Sequence, residues 1–572
     1  MGRQDSPAYR CPPGGAALRL STLSLYWHTL RYLQPVQFYG RLWFRYQRPR
    51  PDLASAPELS TPAGPWQPPA RLLPSMTGPR EFVFLNEPGQ LDELGWDGSQ
   101  REKLWRYNQH YFHDLNAIDA TARQTWHSAL LEDWLENNPP GSGSGWEPYP
   151  LSLRIVNWIK WSLAGSTLSP TALHSLAIQA RWLMKRLEYH LLGNHLFANA
   201  KALVFAGLFF QGKEADAWLS KGMQLLAREV PEQILPDGGH FELSTMYHAL
   251  ALEDMLDLIN ITTVFAARLN TTQNTQIADW QQYAHSMVGW LQNLCHPDGD
   301  ISFFNDAAFD IACSPTELLA YAQRLLRSLP SATKQPLLRL QDSGYIRLAH
   351  GRALALLDTA TVGPDYLPGH AHADTLSFEF SLDQQRVLVN PGTSCYGVSE
   401  ERLRQRGTAA HNSVVINGQD SSEVWGGFRV ARRAYPVELQ AEYNANKKLS
   451  RVSCAHNGYS RLAGKPVHHR NWEMSKGELI IEDLVEGRHD LAEARFHFHP
   501  DVEVVLSENE KAGTVLLPNG TEMTWRAEQG EARLESSTWH PRFGVSVPNR
   551  CLTIKLLDGK SQLRLAWPES SA

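Results

Sequence analysis

The residues best suited to chemistry lie close together. Gly369-His370-Ala371-His372-Ala373-Asp374 is followed by Asn390-Pro391-Gly392-Thr393 and then by Ala410-His411-Asn412-Ser413. Imidazole ligates metals and exchanges its proton near neutral pH. Two histidines two apart, with a third about forty residues on, therefore suit a metal centre or an acid/base centre. Beyond them Leu376, Phe378 and Phe380 alternate with Ser377 and Glu379, the period of a half-buried strand. On that strand His370 and His372 would share a face. Imidazoles on a sheet, in a chain whose first half is helical, predict an enzyme site completed by another domain. Two further polar clusters stand at helix starts: Gly193-Asn194-His195 and Asp237 to His248, which includes Glu242, Ser244 and Tyr247. Alone, Asn194 reads as a helix cap and Tyr247 as a packing residue.

The elements that must position these groups divide the chain in two. From about 100 to 330 the period is helical. Leu252, Met255, Leu256 and Ile259 form one stripe, and Leu196, Ala200, Leu203 and Val204 form another. Breaks at Asn138-Pro139-Pro140-Gly141, Gly193, Gly212, Pro236 to Gly239 and Pro297 to Gly299 suggest stacked helical hairpins. From about 344 the period is two, as in Leu552, Ile554 and Leu556, and Asn-Gly turns punctuate it. Helices first and strands second predict an α+β multidomain chain with segregated domains. The expected boundaries are 1–80 for a helix and a proline-rich arm, 81–340 for the helical domain and 341–572 for the strands.

Composition narrows the partners. A net charge of −6 gives no global attraction to nucleic acid or acidic lipid. An anionic substrate would need a locally basic cleft, which Arg402, Arg404, Arg406, Arg429, Arg432 and Arg433 would supply unless they form a solvated face. Fourteen of nineteen tryptophans precede residue 300. They suit an aromatic groove for a polysaccharide, or else a helical core. The six cysteines are scattered, without a CxxC pair, so neither zinc-thiolate nor disulfide framework is indicated. No uncharged apolar run reaches the ~18 residues that cross a bilayer. Met1 to Leu20 has no secretory pattern, which predicts a cytoplasmic protein, or a periplasmic one if the start codon is misassigned.

Taken together, the motifs resemble the heparinase II/III family of polysaccharide lyases, including members from exopolysaccharide clusters. The resemblance runs through Leu104 to Phe112, Trp146 to Ser152, Asn194-His195, Glu242 to Tyr247, Gly369 to Asp374, Ala410 to Val414 and Trp425 to Ala434. It implies an incomplete (α/α) toroid followed by an antiparallel β-sandwich. It also implies β-elimination on an acidic polysaccharide, in which the C5 proton of a uronate is removed and the 4-O-linked sugar leaves. Tyr247 and His370 are then the acid/base pair, while Asn194, with His195, stabilises the charge developing on the carboxylate. A tyrosine acting as base would need a cationic neighbour. Trp146, Glu242, Arg406 and Arg429 are the expected substrate contacts. His372, position 390 and His411 are implied metal ligands, for one structural divalent ion such as Zn or Ca. Position 390 is Asn rather than an acid, which weakens that set; hydrogen bonding of His372 and His411 within the sandwich is the alternative. Asp298, Asp300 and Asp306 read as a carboxylate cluster or, at Asp298-Gly299, as a turn.

Two other functions compete. His-x-His also opens the barrels of metal-dependent amidohydrolases, but there it comes early and is followed by alternating strands and helices. A non-catalytic polysaccharide-binding or assembly protein on the same scaffold would keep the fold without turnover. Retention of Asn194, Tyr247 and His370 argues for the enzyme. Oligomeric state is not legible.

Overall fold

The computed structural model describes residues 17–507 and 511–569, with side chains from Thr22 onward; Cys11 and most of the leader region considered above lie outside the described residues. The helices are α1 (Ala17–Leu30), α2 (Pro35–Tyr46), α3 (Leu91–Leu94), α4 (Lys103–Tyr111), α5 (Gln124–Asn137), α6 (Pro148–Leu163), α7 (Pro170–Lys185), α8 (Gly193–Phe209), α9 (Lys213–Gln233), α10 (Thr245–Val264), α11 (Thr271–Leu294), α12 (Pro315–Leu325) and α13 (Glu400–Arg406). Their starts follow local chemistry. Proline opens α6, α7 and α12, where its missing N–H costs nothing, and Ser169, Ser244, Asn270 and Ser314 cap α7, α10, α11 and α12. Helix α8 is buried along almost its whole length against α6, α7, α9 and α10, as a helix apolar on every side must be.

Residues 48–75 wrap the helical half as an extended arm. Ser60 donates to the Phe209 carbonyl, Ala63 and Gly64 donate to that of Val264, and Gln67 exchanges hydrogen bonds with Asn260. A small three-stranded antiparallel sheet (76–78, 81–84, 87–90) follows the arm, and the strands of the second half begin at Leu337. A five-stranded antiparallel meander (337–340, 345–350, 353–358, 378–382, 385–388) packs with an eight-stranded sheet and a four-stranded one. One apolar core fills the helical half and another fills the sandwich. A third joins the two halves: Leu243, Trp290, Leu294 and Phe304 meet Leu340, Tyr345, Leu354 and Leu356. That junction fixes the chain around residues 302–306 against the sheet domain.

Two expectations are corrected here. Residues 369–377 form a loop, and the strand starts at Phe378. Side chains claim the loop backbone in place of a neighbouring strand: Asn305 accepts from the His372 N–H, Arg406 donates to the Ala371 carbonyl, and Thr408 donates to that of Ala373. The strand at 378–382 is buried on both faces, because the Glu379 carboxylate is satisfied by His296 at 2.8 Å and by the N–H groups of Phe303 and Asn390. The tryptophans of the helical half mostly build its core; Trp105, Trp134, Trp158, Trp280 and Trp290 are fully enclosed.

Candidate active site

Helix α10 begins immediately after Leu243, whose φ of 58° turns the chain into it. Ser244 accepts from the Tyr247 N–H at 3.1 Å, so Tyr247 is held on the first turn. Its ring stacks on His370 with centroids 3.9 Å apart, and its hydroxyl meets that of Tyr396 at 3.0 Å. Burial raises the Tyr247 phenol well above its ordinary range, and Tyr396 and Asp306 add to the effect. The cationic neighbour that a tyrosine base would need is Arg402, but its guanidinium is paired with Asp306 and does not outweigh the burial of the phenol. Tyr247 is a phenol at neutral pH.

The loop carrying His370 is organised by Asp306, from the irregular chain between α11 and α12. Asp306 Oδ2 accepts from His370 Nδ1 at 2.9 Å, and Oδ1 accepts from His372 Nε2 at 2.8 Å. The fully buried Arg402 grips both oxygens, and Thr393 adds a hydroxyl at 3.2 Å. Burial alone would raise this carboxyl, but Arg402 and the two histidines outweigh it and hold it well below the usual carboxylate range. With Nδ1 facing Asp306, Nε2 is the ring nitrogen of His370 left without a partner among the described residues. The His370 side chain keeps 16% of its surface open. The sequence groups Asp306 with the neighbouring aspartates Asp298 and Asp300. Instead Asp298 pairs with Arg386, and Asp306 stands apart from it as the centre of the site.

Asn194, His195 and Glu242 assemble beside this group. Gly193 takes φ 52°, and a Cβ there would strike Leu367 and approach Glu242 Oε1 at 3.2 Å, so only glycine lets the start of α8 come this close. Asn194, half-buried on the first turn, has no hydrogen-bond partner among the described residues. His195 meets Glu188 through Nδ1 at 3.2 Å and Tyr149 with centroids 4.5 Å apart. Burial lowers its basicity, but Glu188 more than offsets this and its pKa rises. Glu242 is buried, its Oε2 has no hydrogen-bond partner, and burial raises its pKa despite His370 and His195.

His372, His411 and Asn390 do meet, but as a hydrogen-bonded row. His372 Nδ1 faces His411 Nε2 at 3.2 Å, while Asn390 Oδ1 lies 3.3 Å from Nδ1, the other nitrogen of the His411 ring. Ligand atoms on opposite edges of a ring do not converge on one ion. The nearest carboxylate, Asp306, is already occupied by Arg402. Among the described residues no three His, Cys, Asp or Glu side chains are arranged to hold a metal. The donor set does not fit the implied ion. Dialysis against EDTA should therefore move the melting temperature by less than about 2 °C, and a larger drop reversed by Zn or Ca would contradict this arrangement.

The remaining expected contacts lie elsewhere. Trp146 is 3% exposed, packs with Trp134 and Trp182, and donates to the Asn138 carbonyl at 3.1 Å; it belongs to the helical core. Trp146→Ala should cost about 3–5 kcal/mol of stability and leave KM unchanged in the folded fraction, as urea titration and kinetics would show. Arg406 is buried with its guanidinium on the Ala371 and Gly426 carbonyls, so it braces the His370 loop. Arg429 is exposed over the Trp425 ring at 4.7 Å. The basic cleft is largely neutralised, since Arg402, Arg404, Arg432 and Arg433 pair with Asp306, Glu401, Glu423 and Asp365. Tyr396 was missed by the sequence reading; its only signal is its position shortly after Asn390-Pro391-Gly392-Thr393.

Comparison with known proteins matches the chain to a family. Residues 91–330 match the family described as Heparinase II/III N-terminus, and residues 332–565 match Heparinase II/III-like, C-terminal. A heparin-sulfate lyase of Bacteroides stercoris is 25% identical over 254 residues, 41% of this chain and 37% of the relative. A heparin-sulfate lyase of Pedobacter heparinus is 27% identical over 373 residues, 58% of this chain and 53% of the relative. The matched stretches thus span about half or less of these curated relatives. The crystal structure of heparinase III shares the fold with a TM-score of 0.66 at 18% identity, over 83% of this chain and 80% of that one.

Proposed function

The chain belongs to the heparinase II/III-like family, and from that premise we propose that it is a polysaccharide lyase cleaving a uronate-containing acidic polysaccharide by β-elimination. The observation that carries this reading is the stacked Tyr247–His370 pair, with Asp306 behind the imidazole and Tyr396 on the phenol. In the reaction the C5–H bond breaks, its electrons form the C4–C5 double bond, the C4–O bond breaks, and the leaving oxygen gains a proton. His370 Nε2 accepts the C5 proton, since Asp306 holds the opposite tautomer in place. Tyr247 delivers its phenolic proton to the leaving oxygen, for which a neutral phenol is the required form.

Removing a proton beside a carboxylate builds negative charge on that carboxylate, and donors aimed at it lower the barrier. Asn194 offers an amide without a partner, and His195, its basicity raised by Glu188, offers a cation. Glu242, held toward its neutral form by burial, offers a carboxyl proton. The substrate class includes the heparan-type chains named for the relatives. Exopolysaccharide or capsule polymers bearing uronates present the same carboxylate and C5 proton, and a role in their metabolism is part of this proposal.

Mass spectrometry of products from a panel of uronate polymers tests the reaction type. Elimination yields oligosaccharides lighter by one water than hydrolysis would, with an unsaturated terminal sugar. Products of full hydrolytic mass would instead support a hydrolase. Retained binding with no product from any polymer would support the scaffold alternative.

A further inference from the structure

Helices α1 and α2 turn apolar stripes toward solvent. In α1, Leu23, Tyr26, Trp27 and Leu30 are exposed, Trp27 at 68%. In α2, Phe38, Tyr39, Leu42, Trp43 and Tyr46 form a second exposed stripe, with Trp43 at 67% and Tyr46 at 77%. Spacing at i, i+3, i+4 and i+7 is that of a face meant for burial. The opposite sides of both helices are already anchored. Gly40 sits on His190, and Phe44 stacks with His190 beneath Arg186. Thr29 accepts from the Trp425 indole at 3.0 Å, and Gln37 donates to the Tyr366 carbonyl. Apart from Tyr26, which meets the Trp425 ring edge-on at 4.9 Å, the outward stripes are therefore not needed to hold the arm in place, and exposed apolar patches of this kind mark interaction surfaces. A cavity of 920 Å³ lies between α2 and Leu187, Tyr189 and Leu192, and Arg228, Glu229 and Glu232 also line it.

Charge indicates the occupant. Between Asp5 and Asp52 the chain has seven arginines and no Asp, Glu or Lys, although the whole protein carries −6. Arg41 and Arg45 flank the α2 stripe, Arg48 and Arg50 follow it, and none of the four forms a salt bridge among the described residues. Trp and Tyr beside Arg on an amphipathic helix is the composition of segments that lie in the headgroup layer of anionic membranes. Sugar subsites also use aromatic rings, but they have no use for the exposed Leu23, Leu30 and Leu42, which acyl chains would cover. A symmetric second copy would set the arginine-rich stripe against itself.

We propose that α1 and α2 form a peripheral docking element that seats the protein on an anionic phospholipid bilayer. None of the described helices is long and apolar enough to cross one, so the attachment lies in the interface. The proposal is independent of the lyase reading.

Flotation of the full chain with phosphatidylcholine vesicles, with or without phosphatidylglycerol, tests it. The protein should float with the anionic vesicles only, and should be released as salt shortens the screening length. Arg41→Ala with Arg45→Ala should weaken partitioning about fivefold per cation removed. Trp27→Ser with Trp43→Ser should weaken it by about tenfold or more. All four side chains are exposed, so the melting temperature should not change and a loss of flotation would report on docking alone. Failure of the folded chain to float with either vesicle would overturn the proposal. So would a dimer in sedimentation velocity that the tryptophan variant dissociates. Loss of retention on an immobilised acidic polysaccharide, with flotation unchanged, would assign the stripes to sugar.

Discussion

Tyr247→Phe should lower kcat by about 10²–10⁴-fold while KM and the melting temperature stay near wild type. The substitution removes one oxygen. Its ring still stacks on His370, and the Ser244 cap that holds the start of α10 acts through the backbone N–H and is untouched. What disappears is the proton that the leaving oxygen requires. The lost Tyr396 contact should cost about 1 kcal/mol, too little to unfold the domain. A variant with wild-type kcat would remove Tyr247 from the reaction. One with raised KM and normal kcat would make it a binding residue.

Asp306 should give the largest combined effect. Asp306→Ala leaves the guanidinium of Arg402 buried without its partner, which costs about 3–5 kcal/mol. It also frees His370 to rotate or to take the other tautomer. Asp306→Asn keeps the shape and should be milder in stability, yet kcat should still fall by about tenfold or more, because a neutral amide no longer selects the Nδ1–H tautomer. This separation of kcat from stability is what a purely structural role would not produce. The pH dependence has a definite sign. The folded-state pKa of Asp306 is depressed, so its contribution is fully present above the unfolded carboxylate value of about 3.9 and is lost as pH falls through the folded value. The stability gap between wild type and Asp306→Ala should be constant near neutrality and shrink in acid below about pH 4.

Parts of this architecture are legible in the chain and parts are not, for physical reasons. Periodicity reports which face of an element is buried, and so the helical stripes at 196–204 and 252–259 and the alternation at 552–556 show helices before strands. His370 and Tyr247 stand out because each sits in a cluster of polar residues at an element boundary. Asp306 does not, since it lies in irregular chain and its partners are 64 to 96 residues away. The alternation from Leu376 onward extends into a loop whose backbone is satisfied by Asn305, Arg406 and Thr408, contacts that no local pattern records. Trp146, beside Glu147, looks like a sugar platform in one dimension and is a core ring in three. Arg402 and Arg406 read as a basic run, yet one neutralises Asp306 and the other braces a loop.

In the proposed chemistry His370, set by Asp306, removes a C5 proton while Tyr247 protonates the leaving oxygen. This chemistry is tested most directly by following the ultraviolet absorbance of the conjugated product double bond. Wild type, Tyr247→Phe and His370→Ala would be compared on the most readily cleaved uronate polymer, with circular dichroism confirming that each is folded. Absorbance should rise steadily for wild type, and the rate should fall by at least about 10²-fold in both variants. An undiminished rise in either folded variant, or new reducing ends without absorbance in wild type, would contradict it.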